Sequence, residues 1–152
     1  MNRPKVFVTD PFFEAPRALL ASRFEVEYWD GSDRPPRTEV LRRIAGKDAL
    51  ICLLTEKIDD ELLAAGPRLR IVANVAVGYD NIDLAACTRR KVAVTNTPGV
   101  LDETTADLAW ALLMAVARRV VEGDALARSG QWKGWNLNQL CGVDVWGKTG
   151  RR

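Results

Sequence analysis

The chain has 152 residues, of which 47% are hydrophobic and 28% are charged, and its net charge is only +2. This composition is typical of a globular domain with a real core, and it excludes the strongly basic surface of a nucleic-acid-binding protein. The chain contains no histidine, which excludes Ser-His and Cys-His catalytic pairs, imidazole zinc ligands and imidazole proton shuttles.

Short apolar segments alternate with helix-like segments along the first two thirds of the chain. The strand-like segments cover residues 5–10, 24–29, 48–54, 70–77 and 92–97. The helix-like segments cover residues 14–23, with Pro16 in the first turn, 38–46, with Thr38 as cap and Gly46 as stop, 59–66, and 81–91. This alternation predicts an α/β fold, a doubly wound parallel sheet of five strands covered on both faces. We favour the flavodoxin-like strand order 2-1-3-4-5.

The longest helical pattern follows the fifth strand and covers residues 102–128. Its apolar residues recur close to the 3.6-residue helical period and predict a core-facing stripe: Leu101, Leu108, Leu112, Val116, Val120 and Leu126. Asp102 or Thr104 is the expected cap, and Gly123 is a point where the helix can weaken or bend. The fold class therefore includes a long C-terminal helix.

The lengths of the apolar runs and the number of cysteines indicate where the protein is located and whether it binds a metal. No apolar run approaches the ~18 residues of a membrane span, and the N-terminus leads directly into a strand, so we expect no signal peptide and a cytoplasmic location. Cys52, Cys87 and Cys141 are odd in number and widely spaced, which favours reduced, buried thiols over disulfides or a metal site.

Ligands of doubly wound sheets bind outside the carboxyl ends of the strands. The loops at that edge cover residues 9–13, 54–57, 76–81 and 95–100. Each of them is also consistent with an ordinary strand-to-helix turn.

The loop after the fourth strand, with the sequence AVGYDN, differs from the other three. Its Gly78 either lets the backbone turn with positive φ or lets a ligand approach the backbone closely. Two successive free amides at such a turn form a small anion nest that suits a carboxylate. Asp80 and Asn81 are expected to cap the following helix.

The sequence lacks the residues that two other functions of doubly wound sheets require. A receiver-type phosphoacceptor needs an Asp cluster after strand 1, an Asp after strand 3 and a Lys after strand 5. Asp10 does follow strand 1, but Thr55 and Glu56 follow strand 3, and no lysine follows strand 5. A flavin-phosphate site needs a loop rich in Ser, Thr and Gly after strand 1, which TDPFFEAP is not.

Several long motifs resemble those of the D-isomer-specific 2-hydroxyacid dehydrogenases, in particular the glyoxylate/hydroxypyruvate reductase branch. They are NVAVGYDNID at 74–83, the continuous segment at 92–124 and SGQWKGW at 129–135, and the resemblance extends over residues 3–149. The resemblance implies a flavodoxin-like substrate domain, a second domain that binds NAD or NADP, and hydride transfer between the nicotinamide and a small 2-oxo or 2-hydroxy acid. It also implies a homodimer formed through the 102–128 helix.

The resemblance assigns roles to a few residues of this chain. Val77 and Gly78 match the loop whose backbone amides hold the substrate carboxylate, and Leu54 and Thr55 match the loop that borders the substrate pocket. Thr105 matches a threonine near the cofactor at a helix N-terminus. In the WKGW segment, Trp135 rather than Trp132 is expected to reach the partner's active site, although packing is the simpler role for both tryptophans.

The chain departs from the family pattern at its end, which reads WGKTGRR. The glycine-rich dinucleotide fingerprint G-x-G-x-x-G and the family's catalytic Arg, Glu and His are absent, so no catalytic residue is assigned. We expect residues 1–140 to form the substrate domain and 141–152 to be a truncated connection to a nucleotide-binding domain. The isolated chain is then inactive. The alternative is a non-catalytic oligomerisation or regulatory module that pairs with full-length subunits.

Overall fold

The structure, a computed structural model, describes residues 3–149 and contains the predicted parallel sheet. Its strands are β1 (Lys5–Val8), β2 (Glu25–Tyr28), β3 (Ala49–Cys52), β4 (Ile71–Asn74) and β5 (Ala93–Thr95). Its helices are α1 (Glu14–Arg23), α2 (Arg37–Ile44), α3 (Asp60–Ala65), α4 (Leu84–Arg89), α5 (Asp102–Ala117) and α6 (Val120–Arg128).

The strand order is β2-β1-β3-β4-β5, which confirms the predicted flavodoxin-like order. All neighbouring strands are parallel, so their carboxyl ends lie along one edge. The register places Cys52 opposite Asn74 at the ends of β3 and β4. Two central strands thus deliver polar atoms to the edge at which ligands bind in such sheets.

The chain divides into two compact units, one up to Val100 and the other from Leu101 onward. The first unit contains the sheet and its core, in which Phe7, Leu50 and Val72 from the strands pack with Ile44 and Leu62 from the helices. All five side chains are fully buried. Because side chains of a strand alternate between the two faces, helices on both sides are needed to cover such a sheet.

The predicted caps of two helices in the first unit are wrong. Helix α2 begins at Arg37 with Pro36 at its cap position, so Thr38 lies inside the helix. Asp83, rather than Asp80 or Asn81, caps α4 by accepting a hydrogen bond from the Ala86 amide at 2.8 Å. These errors have a local cause, since several adjacent Asp, Asn and Thr residues can fill one cap and sequence pattern does not choose among them.

The predicted helix over residues 102–128 is in fact two helices, α5 and α6. The break falls at Arg119, whose φ is 53°, and not at Gly123. The Val143 amide donates a hydrogen bond to the Ala117 carbonyl at 2.8 Å, and this carbonyl would accept from residue 121 in a continuous helix. A contact with a residue far along the chain therefore ends α5.

The second unit also differs from the sequence prediction in its caps and its burial. Leu101 occupies the cap position of α5 without a side-chain hydrogen bond, so neither Asp102 nor Thr104 caps that helix. The predicted core stripe is not buried: Leu112 and Val116 are 58% and 79% exposed. Cys141 is exposed as well, whereas Cys52 and Cys87 are buried as expected. Within residues 3–149, no helix is long and apolar enough to cross a membrane.

Candidate anion-binding turn after the fourth strand

The loop after β4 presents backbone amides that donate no hydrogen bond within residues 3–149. They include three successive amides, those of Val77, Gly78 and Tyr79. Gly78 does not have positive φ, so the glycine is not required by backbone conformation. A Cβ built on Gly78 would meet nothing within 4 Å, which leaves the space in front of this backbone open.

The carbonyl groups of residues 76–79, in contrast, all accept hydrogen bonds. Ala76 O accepts from the Thr97 amide at 2.9 Å, and Tyr79 O accepts from the Ile82 amide at 3.0 Å. Val77 O accepts from Asn96 Nδ2 at 2.8 Å, and Gly78 O accepts from Asn74 Nδ2 at 2.9 Å. The segment is therefore a row of free donors whose acceptors are already bound.

The loop after β3 lies beside this turn and is held by a buried carboxylate. Glu56 is 9% exposed, and its oxygens accept from the Thr9 hydroxyl at 3.0 Å, the Leu53 amide at 2.9 Å and the Thr55 hydroxyl at 2.8 Å. Thr55, a predicted substrate-binding residue, thus uses its hydroxyl proton within the loop. Leu54, the other predicted residue, is 65% exposed.

Asparagine side chains join the two loops. Asn81 Nδ2 donates to the carbonyls of Leu53 and Glu56 at 3.3 and 2.9 Å. The side-chain amides of Asn81 and Asn74 also face each other, with 3.4 Å between Nδ2 and Oδ1. These hydrogen bonds place the loop that contains Leu54 and Thr55 beside the loop that contains Val77 and Gly78.

A buried thiol completes the network beneath the turn. Cys52 Sγ donates to Asn74 Oδ1 at 3.6 Å, as the strand register allows. Burial, together with the negative charge of Glu56, raises the pKa of the Cys52 thiol to about 12. Because the thiol keeps its proton, it serves as a donor to Asn74 and not as a nucleophile.

Sequence reasoning missed the structural roles of Asn74, Asn96 and Glu56, and it expected Asn81 to cap a helix, whereas Asn81 joins the two loops. One signal was available, because Asn74 interrupts the apolar run IVANVAV and a polar residue in a buried strand requires hydrogen-bond partners. The identity of those partners was not readable, since they come from β3 and from the turn itself.

Two cavities in the first unit differ in their relation to this turn. One, of about 140 Å³, is lined by Tyr79, Leu84, Val94 and Asn96, and so flanks the free amides. Another, of about 640 Å³, lies at the amino ends of the strands, where Asp48 accepts from Arg68 and the Lys5 amide. The smaller cavity is the relevant one, because ligands of doubly wound sheets bind at the carboxyl edge.

The remaining predicted residues lie in the second unit. Thr105 is exposed in the first turns of α5, where its amide donates to the Leu101 carbonyl at 2.9 Å. Trp135 is 83% exposed, and the Trp132 indole donates to Gln139 Oε1 at 3.2 Å. Within residues 3–149, no group of three or more His, Cys, Asp or Glu side chains could hold a metal ion.

The strand order defines the class of the protein, an α/β domain with a doubly wound parallel sheet, and the turn of free amides is the candidate ligand site at the carboxyl edge of that sheet. Residues 6–131 match the model of the D-isomer specific 2-hydroxyacid dehydrogenase catalytic domain. The chain belongs to this family.

Curated relatives and solved structures agree with the family assignment. A glyoxylate reductase of Thermococcus kodakarensis is 50% identical over 97% of this chain and 45% of its own length. One of Aeropyrum pernix is 49% identical over 98% of this chain and 46% of its own length. The chain thus spans about half the length of the curated relatives it matches.

Among solved structures, the TT0316 protein of Thermus thermophilus matches with a TM-score of 0.88 and 44% identity over 93% of this chain and 45% of that protein. An NADPH-dependent glyoxylate/hydroxypyruvate reductase of Sinorhizobium meliloti, solved with NADP and malonate, matches with a TM-score of 0.74 and 28% identity. That match covers 97% of this chain and 45% of the reductase.

Proposed function

We propose that this chain binds the carboxylate of a small 2-oxo or 2-hydroxy acid as the substrate-binding part of an NAD(P)-dependent reductase that acts on glyoxylate or hydroxypyruvate. The single observation that carries the proposal is the row of free amides at Val77, Gly78 and Tyr79 in a chain of this family. Two or more convergent N–H groups form a positive nest that matches a carboxylate. The similarity to curated glyoxylate reductases supports the choice of acid.

In this proposal, the chain's own residues bind and orient the substrate. The amides of Val77 and Gly78 receive the carboxylate, and the exposed side chain of Leu54 borders the small acid. The nicotinamide, when bound, supplies the hydride. Trp135 reaches the partner's active site in a homodimer formed through α5 and α6.

The sequence offers few residues that could contact the dinucleotide. The sequence contains no G-x-G-x-x-G pattern, and Thr105 is the only candidate contact to the cofactor. Relatives do bind nicotinamide cofactors: an Entamoeba histolytica 3-phosphoglycerate dehydrogenase was solved with NAD⁺, and the S. meliloti reductase with NADP. We therefore propose that this chain alone binds the acid but does not reduce it. We also propose that the protein acts in the cytoplasm.

Titration of the chain with glyoxylate, followed by amide NMR, tests the carboxylate site. We expect saturable shifts centred on Val77, Gly78 and Tyr79, and no NADH or NADPH oxidation in a parallel assay. Acetate serves as a control for the shared carboxylate, and glycolaldehyde for an aldehyde without one. Shifts caused equally by glycolaldehyde would reject the carboxylate site, and turnover would reject the proposed inactivity.

A second candidate function is supported by the exposed apolar residues of α5 and α6. Trp110, Leu112 and Val121 are each more than half exposed, and large exposed apolar surfaces favour association. In this alternative the chain is a non-catalytic module that pairs with full-length subunits. Co-expression with a full-length reductase tests it: a mixed dimer with altered activity supports the module, and exclusive self-pairing contradicts it.

A further inference from the structure

The free amides of the turn point in directions that two asparagine side chains determine. In a trans peptide group, the C=O and the following N–H point to opposite sides. No peptide bond within the described chain is cis. The direction of each carbonyl in residues 76–79 therefore fixes the direction of the next amide.

Two of the three carbonyls that matter are held by side chains. Asn96 Nδ2 holds Val77 O and so directs the Gly78 amide, and Asn74 Nδ2 holds Gly78 O and so directs the Tyr79 amide. The third carbonyl, of Ala76, is held by the Thr97 backbone and directs the Val77 amide. Each free donor thus has its own identifiable anchor.

The same hydrogen bonds act electrostatically. A donor on a carbonyl oxygen polarises the peptide group and makes its N–H a stronger donor. The negative ends of the peptide dipoles are covered by the asparagine amides, so an approaching anion meets the positive ends. Asn74 is especially constrained, since it is 2% exposed and is itself held by Cys52 and Asn81.

We infer that Asn74 and Asn96 are positioning residues that aim the Gly78 and Tyr79 amides at a bound carboxylate and strengthen their donation to it. This inference rests on the proposed carboxylate site. Neither asparagine needs to touch the ligand. Both act through the peptide groups that they hold.

The test compares Asn74→Leu and Asn96→Leu with the parent chain and with a matched control, Asn138→Leu. Leucine is uncharged and similar in size to asparagine, so it removes the donor without adding charge. Asn138 is exposed in the second unit and lies outside the turn. We expect glyoxylate to bind each turn variant about five- to tenfold more weakly, the loss that corresponds to one hydrogen bond of ordinary strength, and to bind the control as the parent does.

A further readout separates positioning from general structural damage. In the ligand-free chain, Asn96→Leu should shift the amide nitrogen of Gly78 selectively, and Asn74→Leu that of Tyr79. In the parent chain, couplings across the hydrogen bonds should connect Asn96 Nδ2 to the Val77 carbonyl and Asn74 Nδ2 to the Gly78 carbonyl. These couplings require no variant, so they decide the orientation even if Asn74→Leu fails to fold.

The outcomes distinguish the two proposals. Weaker binding by folded variants, with the paired nitrogen shifts, supports the positioning role. Parent-like binding by both variants, or absent couplings, overturns that role and leaves the carboxylate site standing. No response of the turn amides to glyoxylate in the parent chain rejects the carboxylate site, and the positioning role with it.

Discussion

Residues 3–100 and residues 101–149 are both rich in apolar side chains, but only the first region buries them. Every buried side chain of the described chain lies between Val6 and Val92, and the second region has none. The core of the first region combines side chains from strands and helices, whereas α5 and α6 contribute no buried side chain. Apolar composition therefore does not make a core unless the topology supplies an opposing surface.

The largest expected contrast comes from one substitution made in both regions. Leu50→Ala removes a fully buried side chain of β3, and we expect it to lower the free energy of unfolding by about 2–5 kcal/mol. Leu112→Ala removes a 58% exposed side chain of α5 and should change it by only about 0.5 kcal/mol in the monomer. Urea denaturation at low protein concentration measures both. Equal losses would contradict the comparison.

Self-association tests what covers the second region. Trp110 is 59% exposed on α5, and aromatic residues dominate the binding energy of protein interfaces. We expect the parent chain to dimerise and Trp110→Ala to weaken the dimer by about 2 kcal/mol, or roughly 30-fold in dissociation constant. Sedimentation velocity over a concentration series measures this.

Phe13→Ala is the control for association, because Phe13 is 89% exposed in the first region. The control variant should dimerise as the parent does. A parent chain that stays monomeric at high concentration would contradict the proposed homodimer.

Glycines of the second region offer a smaller test of its packing. A Cβ at Gly142 would lie 2.3 Å from the Ala117 carbonyl oxygen, so Gly142→Ala should break the contact that ends α5, at a cost of about 1–3 kcal/mol. At Gly123, inside α6, the nearest atom to such a Cβ is Leu140 Cδ1 at 3.7 Å, so Gly123→Ala should stabilise the helix by about 0.5–1 kcal/mol.

Thermal denaturation and hydrogen exchange of α5 and α6 amides measure the glycine pair. The two variants make the same chemical change with opposite expected sign. Stabilisation by Gly142→Ala would show that the tail does not pass against Ala117.

The smallest expected effect concerns the acid sensitivity of the first region. The hydrogen bond from Arg42 lowers the pKa of Glu39 from 4.5 to about 2, and the Lys5 amide and Arg68 hold the pKa of Asp48 below its usual range. The pKa of each carboxyl is lower in the folded chain than in the unfolded chain. Each carboxylate therefore stabilises the fold at any pH above its pKa in the unfolded chain. For Glu39, that contribution is lost as the pH falls from 4.5 toward about 2.

Urea midpoints measured from neutral pH down to acid should therefore fall most steeply below the unfolded pKa of Glu39. Glu39→Gln should flatten this dependence slightly, since the pair is exposed and screened by solvent. An unchanged slope would mean that the Glu39–Arg42 pair does not contribute to stability.

The sequence predicted the first region better than the second. Strand-like segments that alternate with helix-like segments predicted the five strands and their order. The rule that ligands bind at the carboxyl edge of such sheets drew attention to the loop at Val77 and Gly78. Both signals are local or topological. The prediction of one continuous helix over residues 102–128 was wrong. The helix breaks at Arg119, and there the Ala117 carbonyl accepts from Val143, a contact that a helical pattern in the sequence does not predict.

The sequence by itself determined the family, the doubly wound sheet and the turn that we propose as the carboxylate site, because long motifs and hydrophobic periodicity are written along the chain. Only the tertiary structure decided which way the amides of that turn point. Asn96 follows β5 and reaches the Val77 carbonyl only after β4 and β5 are in register. Asn74 reaches the Gly78 carbonyl locally, but its side chain is held beneath the turn by Cys52 of the neighbouring strand β3. Hydrogen bonds between separate segments depend on that register, and residue spacing does not encode it.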